Sequence, residues 1–412
     1  MIPNNRRLVE ALIKKGVHIP NPSTIEIGEE VDLNFISAEG VIIHSGCKIF
    51  GEKTLIMSNV ELGARSPVTI NNCQLGRNVE LKGGYFEEST FLDSANMGDG
   101  AEVRKGCLLE ENANGAHTVG LKQTILFPFV TLGSIINSCD ILMAGGTSRK
   151  NHSEVGSSYI HFNYTPNQDK ATASLIGDVA HGVMLNKPPI FLGGQGGLVG
   201  PAIIGYNTVI AAGVIYRDDC PQGSKLLRNK EEIKEDLEFY PGIYWNIKRK
   251  VLNCVQYIAN IIALKQWYLF VRQRFFQGNK LDNKLFEGAM EKIEIILEER
   301  LKRFIDLANK MEKSIKLYES IMGDQVSKTL LTQKKELFEN IEVIENIFNK
   351  YISYRGDIEK RDEFLNRIDT NLDYIKAIKA LDKESSEIGT KWLLSIINEI
   401  REKVIQNLPS FV

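Results

Sequence analysis

Leu175-Ile-Gly-Asp178, Leu198-Val-Gly-Pro-Ala-Ile-Ile-Gly205 and Val209-Ile-Ala-Ala-Gly213 share one rhythm. A small aliphatic residue returns about every sixth position, and Gly or Asp often follows it. The rhythm extends upstream through Ile27-Gly28, Leu62-Gly63, Leu75-Gly76, Met97-Gly98, Val119-Gly120, Leu132-Gly133 and Val155-Gly156. Aliphatic residues at this spacing suit short strands whose side chains point into a narrow prism, and three such strands make a coil of about 18 residues. Each coil hides its backbone groups against the next, so only the two ends need covers. The pattern predicts a left-handed parallel β-helix, a known exception to the right-handed crossover rule. A β-sandwich with many Gly turns is the competing fold, and it accounts less well for the sixfold spacing.

The grammar changes near Ser224. Of 34 Gly, 28 precede residue 225, and of 12 Pro, 10 do. Gly and Pro punctuate turns, so the first part is turn-rich and the second is not. The 412 residues carry a net charge of −2, which gives no electrostatic pointer to nucleic acid. We expect an N-terminal helical cap over 1–20, the β-helix over 21–224 and an all-α helical bundle or coiled-coil region over 225–412. Met1–Lys15 puts Leu8, Ala11 and Leu12 on one helix face, suited to closing the first coil. Met290, Ile293, Leu297, Leu301, Phe304, Ala308, Met311, Ile315 and Tyr318 alternate steps of three and four, a heptad seam on one helix of roughly forty residues. Further helices are expected near 245–276, 327–354, 357–380 and 384–407, the last turn before them marked by Pro241-Gly242 and a helix start by Asn229-Lys-Glu-Glu.

No apolar stretch follows the charges of Met1-Ile-Pro-Asn-Asn-Arg-Arg, and Asn253, Gln256, Asn260, Lys265 and Gln266 interrupt the apolar run Val251–Val271. A cytoplasmic protein without a membrane span is the expectation. The six Cys are scattered with no CxxC pair and read as reduced core residues.

Ser148–Lys170 breaks the repeat with a polar run holding His152, His161, three Asn, two Tyr and basic groups. A polar interruption of a rigid coil is a natural place for a site. His152 has the chemistry of a general base, because an amine nucleophile must shed a proton at neutral pH. Arg149, Lys150 and Lys170 can hold a phosphate, and backbone N–H groups of a neighbouring coil can stabilise an acyl-transfer oxyanion. A solvated surface loop is the plain alternative. No Cys or Ser is arranged as a covalent nucleophile. No pair of His stands five apart, as a β-helix carbonic anhydrase would need, so no metal is expected.

Asn163-Tyr164-Thr-Pro-Asn-Gln-Asp-Lys170, Leu175-Ile-Gly-Asp178 and Leu198–Gly213 together resemble the acetyltransferase half of bacterial bifunctional UDP-N-acetylglucosamine pyrophosphorylase/glucosamine-1-phosphate N-acetyltransferase, over roughly 119–228. The resemblance implies a left-handed β-helix that transfers acetyl from acetyl-CoA to an amino sugar phosphate, in the synthesis of UDP-N-acetylglucosamine. It implies His152 as the base that deprotonates the amine, with Asn163 and Tyr164 near the amine and thioester. Tyr159 is the nearest counterpart of the family's Tyr after that His, and Lys170 of its sugar-phosphate Lys. Gly194 and Ala212 fall where the family contacts acetyl-CoA, and Arg228 near the Arg that holds the coenzyme phosphates. A homotrimer with sites between subunits is implied too. The chain departs from the family at Thr165-Pro166, where Asp-Gly is usual, in the short His152–Asn163 interval, and in an extra segment, Ala180–Pro189.

Two other readings compete. One is a non-catalytic sugar-nucleotide-binding scaffold whose helices form a partner-binding arm. The other is nucleotidyl transfer, suggested by the family name. Ala144-Gly-Gly-Thr-Ser-Arg-Lys150 superficially resembles a nucleotide loop, but it lies between repeats and lacks the strand–loop–helix setting. Gly193-Gly-Gln-Gly-Gly197 reads as a tight coil corner.

Overall fold

The computed structural model describes residues 4–160, 167, 170–228, 238–276 and 278–412. Helix Asn4–Lys15 lays buried Val9 and Leu12 against the first coil, while Ala11, read on the same face as Leu12, is exposed. Asn5 ties it down, donating to the Ile25 carbonyl at 3.0 Å and accepting from the Ile27 N–H at 2.7 Å.

From Glu26–Ile27 to Leu226–Leu227 the chain forms the expected parallel β-helix. Short strands stack in three ladders. The first face runs from Glu26–Ile27 to Ile215–Tyr216, the second from Leu55–Ile56 to Ile203–Ile204, and the third, of ten strands, from Ile42–Ile43 to Leu226–Leu227. The first two faces join where Val119–Leu126 and Ile136–Met143 run through a corner without a break. Gln123 and Asp140 make that bend in the left-handed backbone region, at φ 51° and 57°. Other corners use Asn in the same conformation, at Asn59, Asn78, Asn112 and Asn207. The Asn side chain tolerates that region better than most.

Alternation decides which side of each strand is buried. On the third face, Glu61, Glu80, Asn96 and Glu154 point outward while Leu62, Leu81, Met97 and Val155 fill the prism. The second face breaks this rule. Its outward row, Leu55–Gln74–Thr90–Leu108–Ile125–Leu142–Leu175, is buried as completely as its inward row.

Helices cover that row. Lys248–Phe270 and Lys280–Asn309 lie along the second face, and Gly288 sits so close that a Cβ would stand 2.4 Å from Gln74 Oε1. Buried polar groups lock the layers together. Arg300 donates to Asp140 at 2.9 Å, Arg272 to Glu111 at 2.5 and 3.2 Å, and Tyr268 to Glu110 at 2.5 Å. Arg272 is fully buried, with Tyr374 flat against its guanidinium. A second layer follows, ending in Lys383–Ile405, whose Trp392 packs beside Trp267 and Phe364.

The helical region differs in detail from the sequence reading. The long seam is divided at Lys310 into Lys280–Asn309 and Met311–Met322, and 327–354 is divided at Asn340 into Lys328–Glu339 and Ile341–Tyr351. The seam packs inside the chain, with Ile293, Leu297, Phe304 and Met311 all buried. The helices are thus laid on the β-helix over a wide contact. The helix start read at Asn229 lies outside the described residues.

Two outcomes test this packing. Arg272→Ala strands Glu111 and should cost about 3–5 kcal/mol in urea unfolding, whereas Arg272→Met with Glu111→Leu should recover most of it. Burial, opposed by Arg272 and reinforced by Glu111, raises the Glu110 carboxyl to about 7. A raised carboxyl stabilises the fold below its unfolded value and loses that contribution as pH climbs through 7. Glu110→Gln should therefore flatten the fall in stability between about pH 4.5 and 7, read as Tm against pH.

Candidate functional site

Between Ile136–Met143 and Glu154–Val155 the coil does not turn directly. Gly145 and Gly146, at φ 105° and 98°, send the backbone out of the prism. Gly146–Ser148 then pairs antiparallel with Asn151–His152, the sole antiparallel pair among the described residues. Buried Ser153 closes this hairpin: its hydroxyl donates to the Ala144 carbonyl and accepts from the Ile190 N–H, each at 2.8 Å.

His152 therefore stands on a built projection. Its Nδ1 lies 2.9 Å from the Arg149 carbonyl, which only accepts, so Nδ1 carries the proton. That leaves Nε2 as the basic atom, 3.5 Å from a Glu154 carboxylate oxygen. An imidazole oriented through one nitrogen, with a carboxylate beside the other, is suited to taking and holding a proton.

Arg149 has a structural task on this projection. It donates to the Asn112 carbonyl and the Thr131 hydroxyl, each at 3.0 Å, and staples the hairpin to the preceding coils. Lys150 is exposed at the hairpin tip.

The other carried-over residues lie elsewhere on the chain. Gly194 and Ala212 stack along the corner between the third and first faces, following the register Phe191–Val209, and Arg228 lies at the same corner in register with Ala211. The coils touch backbone to backbone there. A Cβ on Gly193 would stand 2.4 Å from the Ala212 nitrogen, and one on Gly156 2.6 Å from the Gly194 nitrogen. Tyr159 points outward from the first face, opposite Asn137 and Gly197. Lys170 is exposed, and its carbonyl accepts from Arg300 at 3.3 Å. Asn163 and Tyr164 lie outside the described residues. One chain thus separates the His152 projection from the Gly194–Ala212–Arg228 corner by the width of the third face.

Where the repeat meets the extra segment stands a dyad, Asp178 and His181. Asp178 caps helix Val179–Gly182 and accepts from His181 Nδ1 at 2.8 and 2.9 Å. The Tyr206 hydroxyl donates to the Asp178 carbonyl at 2.7 Å and accepts its N–H at 3.0 Å. Burial, and then the Asp178 charge, hold that phenol well above its usual range. The three-residue step from Asp178 to His181, just past a Gly, is the one signal that could have found it.

No family model matches the chain. Among curated proteins, the bifunctional protein GlmU of Thermotoga petrophila is 26% identical over 231 residues, 56% of this chain and 46% of that protein. GlmU of Carboxydothermus hydrogenoformans is 27% identical over 232 residues, with the same shares, and GlmU of Nostoc sp. 27% over 230 residues. The chain spans about half the length of the curated relatives it matches. It carries a parallel β-helix and, over more than half its length, resembles the GlmU proteins, as the motifs between 119 and 228 suggested.

Proposed function

We propose that this protein is an acetyl-CoA-dependent N-acetyltransferase acting on an amino sugar phosphate related to glucosamine 1-phosphate. The similarity to GlmU proteins over 231 residues carries this reading. Acetyl-CoA supplies the activated acetyl group. His152 Nε2 takes the proton from the substrate amine, and Nδ1, held by the Arg149 carbonyl, keeps the ring in place. The amine then forms a C–N bond to the acetyl carbon as the C–S bond breaks. The imidazolium returns its proton to the leaving thiolate. Lys150 and Lys170, both exposed, are the cations available to the sugar phosphate, and Arg228 the one for the coenzyme phosphates. The crowded corner at Gly193-Gly194 and Ala212 offers a smooth backbone surface for a thioester arm.

The separation of these groups in one chain fits a site shared between copies in a C3 homotrimer. An exposed apolar ladder supports such packing: Phe191, Val209 and Leu226, in register on the third face, are 40%, 39% and 60% exposed. Single exposed apolar residues are ordinary, but a row of them marks an interface.

A second reading is a non-catalytic sugar-nucleotide-binding scaffold, favoured by the structural use of Arg149 and by the departure at Thr165-Pro166.

Purified protein should acetylate glucosamine 1-phosphate or another member of an amino sugar phosphate panel. His152→Ala should lower kcat by about 100-fold or more while calorimetry shows acetyl-CoA still bound. No acetylation across the panel, with no acetyl-CoA binding, would sink the enzyme reading. Equal activity in His152→Ala would assign the chemistry to another group. In light scattering the protein should weigh about three times 46.3 kDa, and Val209→Glu with Leu226→Glu should reduce it to monomer.

A further inference from the structure

The extra segment after Asp178 does more than interrupt the coil. It forms one wall of a cleft of about 590 Å³, whose other wall is the start of helix Lys383–Ile405. His181 and Lys187 line the first wall, and Lys383, Ser386 and Lys391 the second.

The charges here are unevenly spent. Asp382, at the cleft edge, already caps the helix by accepting from the Ser385 N–H at 2.7 Å. Glu387 faces Lys383 at 3.9 Å. Among the described residues, Lys187 and Lys391 have no carboxylate within ion-pair distance. Ser386 is only 5% exposed, yet its hydroxyl lines the cleft and has no hydrogen-bond partner among the described residues. Its oxygen is not sealed from water, so a ligand in the cleft would replace water as its hydrogen-bond partner. His181 is oriented by Asp178 through Nδ1, so its Nε2 is the nitrogen left for a ligand. The cleft beside Arg272 is built differently. There Arg272 is paired with Glu111, Arg77 with Asp93 and Asp282, and Lys376 with Asp373.

We infer that the cleft between 181–187 and 383–391 binds a phosphate monoester. Lys187 and Lys391 approach its charge from opposite walls, Ser386 donates to a phosphate oxygen, and His181 Nε2 faces the same group. A tetrahedral anion accepts donors from several directions at once, which suits groups contributed by two walls. The site is separate from the His152 projection and does not depend on acetyl transfer taking place.

The test uses the full chain labelled with [15N]histidine, titrated with inorganic phosphate and with glucose 1-phosphate. The His181 ring resonances, assigned by their loss in His181→Gln, should shift saturably while those of His18 and His44 stay fixed. Lys187→Ala with Lys391→Ala should raise the midpoint about tenfold, with an unchanged circular dichroism spectrum. Saturation at lower glucose 1-phosphate than inorganic phosphate would assign the site to an organic ester, and equal midpoints to the phosphate group alone. An unmoved His181 at high millimolar concentrations of both probes, or an unchanged midpoint in the folded double variant, would overturn the inference.

Discussion

The outward row of the second face is the constraint on which the rest of the molecule depends. Leu55, Leu108, Ile125, Leu142 and Leu175 would meet water on a bare β-helix. Covering them requires a helical layer, and covering them in one register requires polar fasteners. Arg272 with Glu111 and Arg300 with Asp140 provide the register. Buried pairs of this kind add little net stability over apolar substitutes, but breaking one strands a charge. Their role here is to say where each helix lies.

That arrangement also sorts the faces. The second face is closed by the chain's own helices, and the third keeps an apolar ladder open at its C-terminal end. The first face is open as well, with Tyr85, Tyr159 and Ile215 exposed on it. His152 stands on one of the corners that bound the third face, and Gly194, Ala212 and Arg228 on the other.

Much of the β-helix was legible in the sequence because its signal is local. Each aliphatic residue in the repeat fills its own rung, and each Gly or Asn marks its own corner. The polar interruption at 148–170 was legible for the same reason, since it breaks a regular rhythm. The tertiary uses of residues were not. Arg149 looks like a phosphate ligand in sequence, and only folding shows its guanidinium turned back onto Asn112 and Thr131. The heptad seam from Met290 to Tyr318 looks like half of a coiled coil, because apolar spacing reveals which side is buried but not what buries it. The Asp178–His181 pair is local, but the cleft it lines depends on a helix some two hundred residues later, beyond the reach of any local pattern.

Subunit complementation tests the shared site most directly. His152→Ala and Ala212→Glu, each inactive alone, are mixed, dissociated and reassembled. A trimer that builds each site from two copies should recover about a quarter of wild-type acetylation, the chance that neighbouring copies supply one intact half each. Mixtures that exchange subunits yet stay inactive would contradict a site shared between copies.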